Sequence, residues 1–481
     1  MSEPFTVAIV GAGFSGVMTA VHLLRGTAPR PVRVLMVNRS GAMARGVAYG
    51  TNSPAHLLNV TAGRMSAFPG DPGHFVKFAQ SRDPAITPST FVRRAVYGEY
   101  LEHLLTEATA GRPDALAQIV TEVRGVEPDR AWATVTTADG RRLTVDRVVL
   151  AVGHYPPAHP LGFSTDFLAS PQYIRDPWGR GALDAISGSG SAPILLVGTG
   201  LTTLDVALDL HSRGISGAIA VSRRGLLPRT HNPRIPPPEA IHRPPGIEAE
   251  DTATGYARAV HRHIKHLESK GDWRQVIDSL RPITSNLWQR LNSTERERFM
   301  RHLRPFWEVH RHRASPETGS AIEQLLNNGW LTVCAGRLLS AEATSDGANV
   351  TVQVRGTNER RVFHVGVVVN CTGPANDVRT AGDPLLNELF HWGQARPDPL
   401  GLGIDVAEDG AVISSNGESS RVLYYVGPLL RARDGEGTAV PELRVYAARL
   451  ARTILESIPA PISSARPEPP PWPTAAFDPR L

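Results

Sequence analysis

The sequence predicts an α/β protein of two parallel-sheet units, the second inserted into a discontinuous first. Three observations predict it. A short apolar, β-branched run at Thr6–Val10 leads through a glycine cluster into an apolar helical pattern. The same grammar returns at Pro193–Val197. Two further strand-like runs, Val148–Gly153 and Val367–Gly373, end in small residues and glycine, as crossings between two such units do. At 481 residues the chain is too long for one compact domain and suits two or three.

Each element has its own signal. Gly11, Gly13 and Gly16 stand as G-x-G-x-x-G between the first strand and the helix Val17–Leu24. Gly11 permits the tight turn, Gly13 lets backbone approach a pyrophosphate, and Gly16 allows close helix–strand contact. The helix N-terminus then offers free N–H groups to phosphate. A second strand, Val32–Val37, ends at Asn38, where an acidic residue would ordinarily bond the adenosine ribose. An amide can still bond there without the charge; its bland alternative is the start of a loop. The later unit has Gly198 and Gly200, with Thr203 in place of the third glycine, then a helix at Leu204–Leu210 and a strand at Ala218–Val221. Ser222, Arg223 and Arg224 follow, and an arginine pair at that position suits the 2′-phosphate of NADPH. A solvated basic turn is the competing reading. Two Rossmann-type dinucleotide-binding domains are therefore expected.

Their boundaries follow from composition. Residues 1–155 form the first part of the first domain, and 365–458 its second part, which includes the strand Val422–Val426 and a closing helix Val440–Leu455. Residues 190–345 form the second domain, with a helical insertion at about 250–327 that is rich in Arg, His and Trp, after a Pro-rich loop at His231–Gly246. Residues 459–481 read as a Pro-rich tail.

The segments Gly11–Gly16, Gly46–Tyr49, His56–Val60, Arg64–Pro69, Ser222–Gly225 and Gly437–Arg444 resemble the FAD/NAD(P)-binding monooxygenase family that includes the bacterial FAD-dependent urate hydroxylase and an aspartate N-monooxygenase. These pieces span nearly the whole chain. The resemblance implies FAD contacts at Gly11, Gly13, Ser15, Gly16, Asn38 and Asn59, and places Gly427 and the Thr438–Ala439 turn near the isoalloxazine. An ordinary N-cap is the plain alternative for Thr438. Gly198, Gly200, Arg223 and Arg224 would hold NAD(P)H. The expected cycle is hydride transfer from NAD(P)H to FAD, then O2 addition to give a C4a-hydroperoxide that oxygenates a small molecule in a dry site. Urate, hydroxylated to 5-hydroxyisourate, is the first expectation for the substrate. Its anion needs a cation, which makes Arg64 and Arg444, with Asn59, the candidate catalytic residues. The alternatives are N-hydroxylation of an amine or amino acid, and an NAD(P)H-dependent flavin reductase without oxygenation.

Other classes lose ground. The two cysteines, Cys334 and Cys371, form no Cys-x-x-Cys, which disfavours flavoproteins that pass electrons to disulfides. A net charge of +5 gives no argument for nucleic acid, and the basic run Arg296–Arg313 reads as a solvated face. Among the 17 histidines, the His-x-His pairs point to different helix faces, so no metal is expected. The start of the chain lacks a basic leader pattern and no apolar run reaches membrane length, so a cytoplasmic protein without membrane partners is expected. His154 follows the Ala-Val-Gly turn, as a hinge or beside a nicotinamide.

Overall fold

The computed structural model describes residues 3–186, 192–267, 271–375 and 377–460. Strands β1 (Phe5–Val10), β2 (Val32–Val37) and β3 (Leu116–Ile119) come first. An antiparallel set follows, β4 (Val123–Pro128), β5 (Ala133–Thr137) and β6 (Arg142–Val145), and then β7 (Arg147–Leu150). The inserted strands are β8 (Tyr173–Ile174), β9 (Ile194–Val197), β10 (Ala218–Ser222), β11 (Leu331–Thr344), β12 (Gly347–Val354), β13 (Arg360–Val365) and β14 (Val368–Asn370). Strands β15 (Ala411–Ile413) and β16 (Ser419–Tyr425) close the series.

The first sheet has the order β15-β16-β7-β1-β2-β3 and is parallel except at β15. It draws on chain from both sides of the insertion. β1 is largely apolar on both faces because both are covered, one by helices and the other chiefly by the antiparallel β4–β6 strands. The helix Phe14–Arg25 packs against the helices Arg94–Thr109 and Val440–Glu456, tying the two ends of the chain into one core. The second sheet has the order β13-β12-β11-β10-β9-β14-β8, parallel from β11 to β8, with the β11–β13 meander antiparallel at one edge. The chain is thus α/β with two Rossmann-type units, and the helical excursion lies between β10 and β11.

The boundaries differ from those read from composition. β14 pairs with β9 at Val368↔Leu195, and β8 pairs with β14, so Tyr173–Ile174 and Val368–Asn370 both belong to the second sheet. The crossing back comes after Cys371, whereas composition placed residues 365–458 with the first domain. An all-apolar strand carries no mark of which sheet it will enter. Residues 461–481, most of the expected tail, lie outside the described residues. No helix among the described residues is long and apolar enough to cross a membrane.

Candidate functional site

The first glycine loop is built by contacts that no side chain could survive. Gly11 has φ +110°, and a Cβ there would fall 2.3 Å from the Ala151 carbonyl oxygen at the end of β7. At Gly16 a Cβ would meet the Gly11 carbonyl oxygen at 2.1 Å, which is the close helix–strand contact. Beside Gly13 the nearest atom to such a Cβ is the Cα of Gly46, at 3.8 Å, so this side of the loop stays open to a ligand's backbone approach. Gly13 caps the helix Phe14–Arg25 without a side chain, and no acidic residue lies in its first turn. Its leading N–H groups suit a pyrophosphate. Ser15 is buried in that turn. Asn38 donates its amide to Ser40 Oγ at 3.0 Å and to the Ala42 carbonyl at 2.9 Å, so its nitrogen closes its own loop.

The second loop repeats this architecture. Gly198 has φ +117°, and a Cβ would fall 2.6 Å from the Cys371 carbonyl oxygen at the end of β14. Gly200 has open space on its Cβ side and caps the helix Leu201–Ser212, again without an acidic first turn. Thr203 is fully buried, so this helix accommodates a branched side chain where a third glycine would stand. Ser222 bonds Thr199 Oγ1 through its hydroxyl at 2.9 Å and accepts from the Gly225 N–H at 3.0 Å, fixing the turn after β10. Arg223 is exposed there, and the Arg224 guanidinium lies 4.9 Å from the centre of the Phe306 ring. Neither is paired with a carboxylate among the described residues.

A polar junction joins the two units. Arg94 donates to Asp205 Oδ2 at 2.7 Å and to the Leu57 carbonyl at 3.0 Å, and the His56 ring meets the Asp205 carbonyl at 3.3 Å. The His231 ring bonds the backbone carbonyl of Asn59 at 3.1 Å. Burial first, then Arg313, lowers the His231 pKa to about 4. Arg64 is exposed and lies near enough to His231 to add to that effect. Arg444 donates to the Ser66 carbonyl at 2.9 Å, which commits one of its amino groups to the Arg64–Pro69 stretch.

The helical excursion closes over the start of the last helix. Trp288 Nε1 donates to the Ala432 carbonyl at 2.9 Å. Arg281 grips Glu442 through two bonds of 2.7 and 3.0 Å. Arg311 grips Glu436 at 3.0 Å, and Trp307 Nε1 donates to the same carboxylate at 3.1 Å. Burial pushes the Glu436 carboxyl up, but Arg311, His312 and Arg281 outweigh it and hold it below the usual range. Arg313 is buried; its Nη2 serves Asp278, while Nε and Nη1 have no partner among the described residues. Thr438 is exposed and the N-cap is Ala439, so the cap reading of Thr438 is corrected: this helix starts without a side-chain cap and with Pro441 in its first turn. Gly427 has φ +146° and lies against the Tyr425 ring. His154 keeps an exposed surface yet is crowded by surrounding structure that, with Arg431, lowers its pKa to about 4.

Residues 8–155 match the model of a family described as FAD-NAD(P)-binding. That match, with the paired glycine loops, makes FAD and NAD(P)H the cofactors. No curated protein matches the sequence. Among solved structures, the chain is similar to the ornithine N-hydroxylase of Kutzneria sp. 744, at 16% identity over 94% of this chain and 99% of that one, with a TM-score of 0.63. It is similar to L-lysine 6-monooxygenase from Pseudomonas syringae, at 15% identity, 95% and 99% coverage and a TM-score of 0.63. It is also similar to a bacillithiol disulfide reductase from Staphylococcus aureus, at 12% identity, 95% and 99% coverage and a TM-score of 0.56. At these identities the likeness establishes the fold.

Proposed function

We propose that this chain is an FAD- and NAD(P)H-dependent monooxygenase that hydroxylates the nitrogen of an amine or amino acid. The observation that carries this reading is the roof over the junction. Arg281–Glu442, Arg311–Glu436 and Trp288–Ala432 lay the helical excursion on the chain entering the last helix, and Arg274 donates to the Thr230 carbonyl, next to His231 of the junction. Chain laid over a reaction site excludes water from it, which oxygenation needs and simple electron transfer does not. The ornithine and lysine enzymes share this chain's fold along almost their whole length, which supports the nitrogen reading over urate. The disulfide reductase shares it too, but here both cysteines are buried and burial pushes their thiols up, so neither is a ready thiolate.

Bound FAD supplies two-electron transfer from NAD(P)H towards O2. The chain supplies the rest. N–H groups after Gly13 and Gly200 hold the two pyrophosphates, and Arg223 with Arg224 holds a 2′-phosphate. Arg64, Arg444 and the free donors of Arg313 leave the junction cationic, suited to a carboxylate on the substrate. Those cations also suit urate, which keeps urate in the test.

The test supplies FAD-loaded protein with NADPH or NADH in air, together with amines, amino acids or urate. Hydroxylamine formation in step with cofactor oxidation is expected for a carboxylate-bearing amine. Coupled urate loss without hydroxylamine would replace nitrogen by C5 of urate. Cofactor oxidation yielding only hydrogen peroxide with every compound would reduce the protein to a flavin reductase.

A further inference from the structure

The stretch His56–Asn59 belongs to the first unit, but two separate points of the second unit hold it. On one side is Asp205, in the second turn of the helix that starts at the Gly200 loop. Its carboxylate takes Arg94 at 2.7 Å, and its main-chain carbonyl meets the His56 ring at 3.3 Å. Arg94 is itself held by the Leu57 carbonyl, and its own N–H donates to the His56 carbonyl at 2.9 Å. His56 is further fixed by Thr51 Oγ1 at 2.6 Å and by the edge-on ring of Trp178. On the other side, His231 reaches from the loop beyond β10 to the Asn59 carbonyl.

The Arg94 and Asp205 side chains are only 16% and 8% exposed. A buried ion pair is a poor source of stability, because desolvation offsets the attraction; its best-attested use is to specify geometry. Interfaces between domains of one chain ordinarily leave relative motion free. Here directional bonds cross that interface at Asp205, in the helix that starts at the Gly200 loop, and again at His231.

We propose that the Arg94–Asp205–His56 contact is a positioning clamp that fixes the nicotinamide unit against the flavin unit for hydride transfer. In that step the nicotinamide C4–H bond breaks, and its hydride forms a new bond at flavin N5. NAD(P)H is oxidised and FAD reduced by two electrons. The clamp rests on the two-cofactor reading and not on nitrogen hydroxylation, because it acts before O2 enters. A misplacement of about 1 Å at the reacting atoms costs on the order of a hundredfold.

The test uses the FAD-loaded full chain without oxygen and without substrate. Arg94→Met with Asp205→Leu replaces the pair by apolar side chains of similar size, and Asp205→Asn keeps the shape should that double variant fail to fold. Stopped-flow flavin reduction at saturating NADPH is expected to slow at least tenfold in the double variant. A deuterium effect from NADPH labelled at C4 should grow. The long-wavelength charge-transfer band of reduced flavin with NADP+ should weaken, while FAD retention and thermal midpoint stay near those of the parent. Unchanged limiting rate and band in a folded variant would overturn the clamp. So would a raised NADPH KM with an unchanged limiting rate, which would make these residues part of nucleotide binding. A parent protein whose flavin neither nucleotide reduces would overturn it together with the two-cofactor reading, whereas a parent that is reduced but makes no hydroxylamine would sink only the nitrogen reading.

Discussion

Arg223 and Arg224 stand at the turn where the second unit would meet the adenosine ribose, and no carboxylate among the described residues neutralises them. Charge-assisted bonds to a phosphate are about twice as strong as neutral ones. Arg223→Ala with Arg224→Ala is therefore expected to raise the NADPH KM at least roughly tenfold, the low end of losing one such bond of about 1.5–3 kcal/mol, and to leave the NADH KM nearly unchanged. Equal effects on both would make the pair a solvated turn. Glycine at Gly11 and Gly198 was legible in the sequence because each answers a local demand, a positive φ. Side chains whose work depends on distant chain were not. Arg444, still a candidate substrate cation, also bonds the Ser66 carbonyl through one amino group, 378 residues away in sequence, a contact that no local pattern marks. Asn38 turns its amide nitrogen into its own loop.

At the level of elements, the helical excursion is held by charge pairs that no spacing rule predicts, since Arg311 and Glu436 lie 125 residues apart. Its helical content was visible from composition; its seat on the last helix was not, because partners that meet only after folding leave no periodic trace. The Arg311 and Glu436 side chains are 8% and 12% exposed. Removing one member of such a pair leaves an uncompensated buried charge and costs about 3–5 kcal/mol. Glu436→Ala should therefore lower the urea midpoint markedly and release the excursion first, read as early loss of the Trp288 and Trp307 fluorescence signals. A substitution at exposed Glu297, on the same excursion, should change neither. If Glu436→Ala shifted the midpoint no more than Glu297→Ala, the roof would be held by its apolar contacts around Trp288.

Across the whole molecule, two equivalent strand–glycine–helix units face each other, each first glycine closing on the strand end that follows it, Ala151 in one and Cys371 in the other. That equivalence explains why the motif pair was legible while the crossing point was not: both crossings read as apolar strands ending in glycine. The fold also crowds three imidazoles, of which His231 lies at the junction between the units. Burial lowers the pKa of His22, His154 and His231 to about 4 in each case, with Arg25, Arg431 and Arg313 respectively adding to it. In the unfolded chain these groups titrate near 6.5. Between pH 6.5 and 4 the unfolded chain therefore binds protons that the folded chain does not, and stability must fall as pH drops through that window. Above pH 6.5 all three are neutral in both states, and their contribution no longer changes. The urea midpoint at pH 5 should accordingly lie below that at pH 7.5. His22→Leu, which replaces a ring stacked edge-on against Phe68 by an apolar side chain, should flatten the slope. An unaltered slope would assign the acid sensitivity to the other histidines whose pKa burial lowers, His56, His74, His159 and His312 included, or to carboxylates, and His231→Leu, read the same way, would then separate the contribution of His231 at the junction.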